Sequence, residues 1–120
     1  MAGQQHIQDP FLYKCVIQRI VDGDTIDVDI DVGFHTTMRK RLRFLDINTF
    51  ETRGPEREKG LLAKARATEI LEAADRIYVQ TKMDAEGKYG RLLAWVWCEK
   101  DGELMNLNNQ LLLEGHAVKY

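Results

Sequence analysis

Cysteine is nearly absent, with two residues in 120. Cys15 and Cys98 each fall in an apolar run, Lys14-Cys15-Val16-Ile17 and Trp95-Val96-Trp97-Cys98, where a small buried thiol is the ordinary reading. Two cysteines cannot make a zinc site alone, and nothing in the sequence supports a disulfide. An excess of positive charge is also missing: 17 Lys and Arg stand against 19 Asp and Glu, a formal net charge of -2. The field of the whole protein therefore does not draw in nucleic acid. Any affinity for phosphate has to come from local clusters. No apolar stretch approaches the length of a bilayer span. Met1-Ala2-Gly3-Gln4-Gln5-His6 has neither the basic start nor the apolar core of a secretion signal, so a cytoplasmic location is expected. The three histidines, His6, His35 and His116, have no metal-binding company. Internal repeats and low-complexity segments are absent.

What is present has the make-up of a globular protein, 44% hydrophobic and 30% charged, and the length suits one domain. Residues 1–12 read as a polar N-terminal arm and 13–120 as the domain. Tyr13 to Val21 is β-prone, and Asp22-Gly23 marks a tight turn. Ile26, Val28, Ile30 and Val32 alternate with Asp27, Asp29 and Asp31, the period-two pattern of a half-buried strand. Gly33-Phe34-His35 turns the chain, and a strand is expected from Thr37 to Ile47. Asn48 to Gly54 reads as a loop. Pro55 suits the first turn of a helix, Glu56 and Glu58 suit its positive end, and Leu61, Leu62, Ala65, Ile70 and Leu71 carry helical spacing to about Ala74. A strand over Arg76–Thr81, a polar turn over Asp84-Ala85-Glu86-Gly87 and a strand over Arg91–Cys98 follow. After Asp101-Gly102, a last helix from about Asn106 to Glu114 is stopped by Gly115. Three strands, a helix, two strands and a helix predict a mainly β, α+β domain: a five-stranded OB-fold barrel with two helices.

Asp22-Gly23-Asp24-Thr25 places two carboxylates at a turn, where oxygens can converge on a hard cation. Asp-Gly is equally a common hairpin signal. Asp27, Asp29 and Asp31 lack the glycine and the glutamate of an EF-hand loop and read as a solvated strand face. Arg39, Arg41 and Arg43 share one face of the next strand. They can pair with those aspartates if the register allows, or face phosphate, a role favoured for Arg43 alone because it adjoins the Asn48–Glu51 segment. A guanidinium grips two phosphoryl oxygens at once. Lys88-Tyr89-Gly90-Arg91 offers a second arginine and an aromatic ring able to stack on a base.

In this order the motifs resemble the staphylococcal nuclease (thermonuclease) family over nearly the whole chain, from about Tyr13 to Tyr120. The resemblance rests on Asp22-Gly23-Asp24-Thr25, on Arg43 to Glu51, on Lys88-Tyr89-Gly90-Arg91-Leu92-Leu93-Ala94 and on Glu114-Gly115-His116-Ala117-Val118. Starting the second motif at Arg43 keeps the family's spacing, with Asn48 at its aspartate and Glu51 at its glutamate; starting at Arg41 leaves Thr49 at the base position. The resemblance implies an OB barrel and calcium-dependent cleavage of single-stranded or denatured DNA and RNA. It implies Asp24, Asn48 and the Thr49 carbonyl as calcium ligands, with Asp22 just outside them. Glu51 would position or deprotonate the attacking water, Arg43 and Arg91 would hold the phosphate, and Lys88 and Tyr89 would line the nucleotide site. No membrane and no protein partner is implied.

Four departures from the family pattern bear on activity. Asn48 replaces the usual aspartate, which removes a charge from the site and should weaken calcium binding without abolishing it. Phe50 replaces the usual proline, loosening the placement of Glu51. Asp46 either restores some negative charge or is a solvated strand end. The sequence stops at Tyr120, without the further C-terminal helix of longer members. A metal-dependent nuclease is the expected function. The alternatives are a catalytically weak or inactive OB-fold module that binds nucleic acid, and a protein-interaction module.

Overall fold

The computed structural model describes residues 11–86 and 92–120. Its alternating segment is β2 (Thr25–Gly33), which lies between β1 (Leu12–Asp22) and β3 (Thr36–Phe44) in an antiparallel meander. Ile26, Val28 and Ile30 point inward and are buried, but Val32 does not follow them. The β2–β3 hairpin runs out past the barrel, and residues 31–39 are all exposed. On the outer face the register sets Asp27 opposite Arg41 and Asp29 opposite Arg39. Arg41 donates to the two Asp27 oxygens at 2.8 and 3.1 Å, and Arg39 grips Asp29 in the same two-pronged way. The paired guanidiniums hold both carboxyls below the usual carboxylate range. The acidic and basic runs thus neutralise each other across strands.

β5 (Arg76–Glu86) pairs with β1 on one side and with β6 (Leu92–Lys100) on the other. β6 then runs parallel to β3, from Leu42 opposite Leu92 to Phe44 opposite Ala94. That pairing closes a five-stranded barrel in the order β3-β2-β1-β5-β6, as the pattern of elements predicts. A short β7 (Glu103–Asn106) adds to the second half of β6. The interior is filled by Ile26, Val28, Leu42, Phe44, Val79 and Val96, none measurably exposed.

Two expectations are revised. The strand expected over Thr37–Ile47 breaks after Phe44, where Asp46 adopts a φ of 65°, a left-handed conformation that aspartate tolerates better than most residues. The chain resumes as β4 (Ile47–Thr49), paired with β8 (Ala117–Lys119). Asn48 and Thr49 therefore stand in a strand, not in a loop, because a partner some seventy residues away in sequence supplies the ladder. The polar turn expected at Asp84–Gly87 also differs: β5 continues through Glu86, and Gly87 lies outside the described residues.

A 3-10 turn over Gly54–Glu56, with Pro55 in it, leads into α1 (Arg57–Ala73). The face that α1 buries is Gly60, Ala63, Ala67, Ile70 and Leu71. Leu61, Leu62 and Ala65 are exposed instead, since the helix lies too close to the barrel for large side chains near its start. α2 (Leu107–Leu113) is capped by the Asn106 side chain, which accepts the Asn109 N–H at 3.2 Å, and Leu107 and Leu111 plug the barrel end. Cys15 and Cys98 are buried and free. Burial pushes the Cys15 thiol up to about 12, with a contribution from Cys98, and the Cys98 thiol up to about 11. No described helix is long and apolar enough to cross a membrane.

Candidate active site

Three separate segments meet at one mouth of the barrel: the β1–β2 turn, the end of β3 with β4 and the loop after it, and the first turns of α1. Gly23 is not there for a left-handed turn, since its φ is not positive. A Cβ on it would sit 3.0 Å from Thr49 Cγ2 and 3.2 Å from the Ala63 carbonyl carbon. The missing side chain is what lets the turn, β4 and α1 close up.

Asp24 is 8% exposed and oriented on every side. Its Oδ2 accepts the Thr49 N–H at 3.0 Å, its Oδ1 accepts the Thr25 hydroxyl at 3.1 Å, and its carbonyl accepts the Phe44 N–H at 2.9 Å. Arg43 lies opposite Thr25 in the ladder, which brings its Nη2 to 3.4 Å from Asp24 Oδ2. Its Nη1 donates to the Phe44 and Ile47 carbonyls at 3.0 and 3.1 Å, and the Tyr120 ring lies 5.3 Å from its central carbon. A guanidinium tethered by two carbonyls and a carboxylate is pre-aimed and loses little freedom when it binds an anion. Among the three same-face arginines it is the buried one, its side chain 14% exposed against 64% for Arg39 and 48% for Arg41.

Asp22 Oδ1 accepts the Thr52 hydroxyl at 3.0 Å, which ties the loop to the β1 end. Glu51 is exposed, and neither it nor the Asn48 side chain makes a hydrogen bond or ion pair with another described residue. The Phe50 ring carries the Lys59 ammonium at 5.2 Å, so the residue standing where the family has proline is braced against α1. Asp46 is exposed in the β3–β4 turn and does not line the cleft.

Asp22, Asp24, Arg43, Asn48, Thr49 and Glu51 together line one polar cleft of about 880 Å³. Arg91, Lys88 and Tyr89 lie outside the described residues. Sequence reasoning missed three further cations on the same walls: Arg19, Arg53 and Lys64. Arg19 stands opposite Asp27 in the β1–β2 ladder, while Arg53 and Lys64 make no ion pair among the described residues. Only the adjacency of Arg53 to Glu51 was visible beforehand; Lys64 reaches the cleft because α1 turns that face to it.

The possible cation donors are hard oxygens throughout: the Asp22 and Asp24 carboxylates, the Asn48 amide and the Thr49 carbonyl. Asp24 Oδ1 retains a lone pair beyond the bond from the Thr25 hydroxyl, whereas Oδ2 already meets the Thr49 N–H and the Arg43 guanidinium. Such a set fits a calcium-like ion and not a soft metal. Its charge is low, since no group of three or more acidic, histidine or cysteine side chains converges among the described residues.

The profile of the family described as Staphylococcal nuclease homologue matches residues 41–120. The chain is 32% identical over 104 residues to the Thermonuclease of Staphylococcus intermedius, covering 85% of this chain and 56% of that protein. It is 32% identical over 120 residues to Endonuclease YncB of Bacillus subtilis, covering 97% and 53%. Against Endonuclease YhcR of the same organism it is 31% identical over 116 residues, covering 90% of this chain and 9% of that protein. The chain spans about half the length, or less, of these relatives.

Proposed function

Since the chain belongs to the staphylococcal nuclease homologue family, we propose that it is a calcium-dependent nuclease hydrolysing phosphodiester bonds of single-stranded or denatured DNA and RNA. The observation that carries this reading is the convergence of Arg43, Asp24, Asn48, Thr49 and Glu51 on one cleft. Calcium, when bound, supplies positive charge against the phosphoryl oxygens. Asp24, Asn48 and the Thr49 carbonyl would hold it, with Asp22 just outside.

The chain's own groups do the rest. Arg43, fixed by the Phe44 and Ile47 carbonyls, neutralises the non-bridging oxygens and the extra charge of the pentacoordinate transition state. Glu51, which has no competing partner among the described residues, takes a proton from the attacking water. As the water oxygen bonds to phosphorus, the bond to the 5′ oxygen breaks, and that oxygen is protonated from solvent. Arg91 joins Arg43 on the phosphate, and Lys88 and Tyr89 line the nucleotide. Arg19, Arg53 and Lys64 suit a polyanion longer than one nucleotide. The two buried, reduced thiols suit a reducing, cytoplasmic compartment.

A second reading, a module that binds nucleic acid without cleaving it, draws on Asn48, which leaves the metal donors one carboxylate short. Cleavage of denatured DNA in calcium and in chelator separates the two. The nuclease reading expects calcium-dependent cleavage, reduced by about 10²–10³ in Glu51→Gln and in Arg43→Ala. A folded protein that cuts nothing at millimolar calcium leaves the binding module.

A further inference from the structure

Helix α1 meets the loop that carries Glu51 with no side chain between them. A Cβ built on Gly60 would lie 2.0 Å from the Glu51 carbonyl oxygen, 2.3 Å from its carbonyl carbon and 2.7 Å from the Thr52 nitrogen. These are backbone atoms, which cannot swing aside as a side chain can. One helical turn on and on the same buried face, the Ala63 backbone meets Gly23, so the α1 backbone is pressed against both the β1–β2 turn and the loop. Gly60 takes no positive φ. Its lack of a side chain answers to the close approach alone, at a position where glycine is otherwise a poor helix former.

We propose that Gly60 is a positioning residue for the nuclease reaction: the backbone of α1 is a rigid stop that sets where the Glu51 carboxylate stands relative to Arg43 and Asp24. The inference rests on the nuclease reading. The Glu51 side chain has no partner of its own among the described residues, so its position derives from the backbone that bears it. The Thr52 hydroxyl is held to Asp22 at 3.0 Å, which ties the loop to the β1–β2 turn as well as to α1. Arg43 and Asp24 are held by the barrel and the β1–β2 turn instead. A methyl at position 60 therefore moves the base and leaves the phosphate grip where it was. A misplacement of about 1 Å is enough to cost about 10²-fold in rate.

The test compares Gly60→Ala with Ala65→Gly, an exposed change that weakens the same helix without touching the loop. On denatured DNA with calcium, Gly60→Ala should lower kcat by about 10- to 100-fold with KM within about twofold, while Ala65→Gly keeps the wild-type kcat. In amide NMR spectra of the calcium-free proteins, the Glu51 and Thr52 resonances should move in Gly60→Ala, and those of Phe44 and Val96 should stay. An unchanged kcat in a folded Gly60→Ala, unmoved Glu51 and Thr52 amides, or an equal loss in Ala65→Gly would each overturn the proposal. If Gly60→Ala does not fold, the wild type decides: a nuclear Overhauser contact from the Gly60 Hα protons to the Thr52 amide supports the stop, and its absence refutes it. A wild type that cleaves nothing removes the nuclease reading and with it the catalytic role. Moved amides with kcat unchanged remove the proposal alone.

Discussion

Replacing Asn108 by alanine should cost the domain several kcal/mol, although the residue does not line the cleft. Its side chain is 1% exposed. Oδ1 accepts the Val96 N–H at 3.0 Å, and Nδ2 donates to the Leu45 carbonyl at 2.9 Å and to the Ala94 carbonyl at 3.2 Å. The Ala94 carbonyl keeps a second donor, the Leu45 N–H at 2.8 Å, so truncation strands two groups, the Val96 N–H and the Leu45 carbonyl. At about 1–3 kcal/mol for each buried group left unmade, the loss is roughly 2–6 kcal/mol. A water entering the vacated space would bring it toward the lower figure. On a total stability of about 5–15 kcal/mol, that is a drop in melting temperature of at least about 8 °C. Urea unfolding followed by circular dichroism reads the loss directly, with an unchanged slope showing that the denatured state is not altered. Asn109→Ala, at an exposed neighbouring site whose capping bond uses only its backbone N–H, should stay within about 0.5 kcal/mol of the wild type. A loss below about 1 kcal/mol in Asn108→Ala would refute the count of stranded groups.

Asn48→Asp should tighten calcium binding by about tenfold or more, because affinity follows the ligand charge count; calorimetric titration with calcium measures it, and unchanged affinity would take Asn48 out of the ligand set. Lys64→Ala and Arg53→Ala should each make the salt dependence of binding to single-stranded DNA shallower by about 0.7 in the log–log slope, one released phosphate contact each. Fluorescence anisotropy with catalytically disabled Glu51→Gln protein gives that slope, and an unaltered slope would mean neither cation meets phosphate. The Arg66 guanidinium, helped by Gln110, holds the Glu114 carboxyl down from 4.5 to about 2. A depressed carboxyl stabilises above its unfolded value and loses that contribution as pH falls. Glu114→Gln should therefore be slightly less stable at pH 7, by no more than about 1 kcal/mol for so open a pair. The gap to the wild type should close between about pH 4.5 and pH 2; a gap that persists at pH 2 in acid titration would contradict the pairing.

Local pattern made much of this molecule legible. The alternation of Ile26, Val28 and Ile30 with aspartates marked a wall strand because a pleated strand has a strict period of two. The offset between the acidic and basic runs anticipated their pairing, since ladder register obeys the same period. Legibility failed wherever the partner was distant in sequence. β4 is three residues long and exists only because β8 lies beside it, which moved Asn48 and Thr49 from loop to strand. Leu61 and Leu62 carried helical spacing yet face solvent, as the helix is pressed to the barrel along its glycine and alanine face.

By itself the amino-acid sequence determined the five barrel strands, the two helices and their order, because propensity, period and short motifs act over a few residues at a time. Tertiary structure alone decided that Arg19, Arg53 and Lys64 share the cleft, that Asn108 ties a helix to β6 and to the β3–β4 turn, and that Gly60 admits the Glu51 backbone to van der Waals contact. Those facts depend on which surfaces meet after closure, and close packing makes each of them a matter of a single methyl group or hydrogen bond.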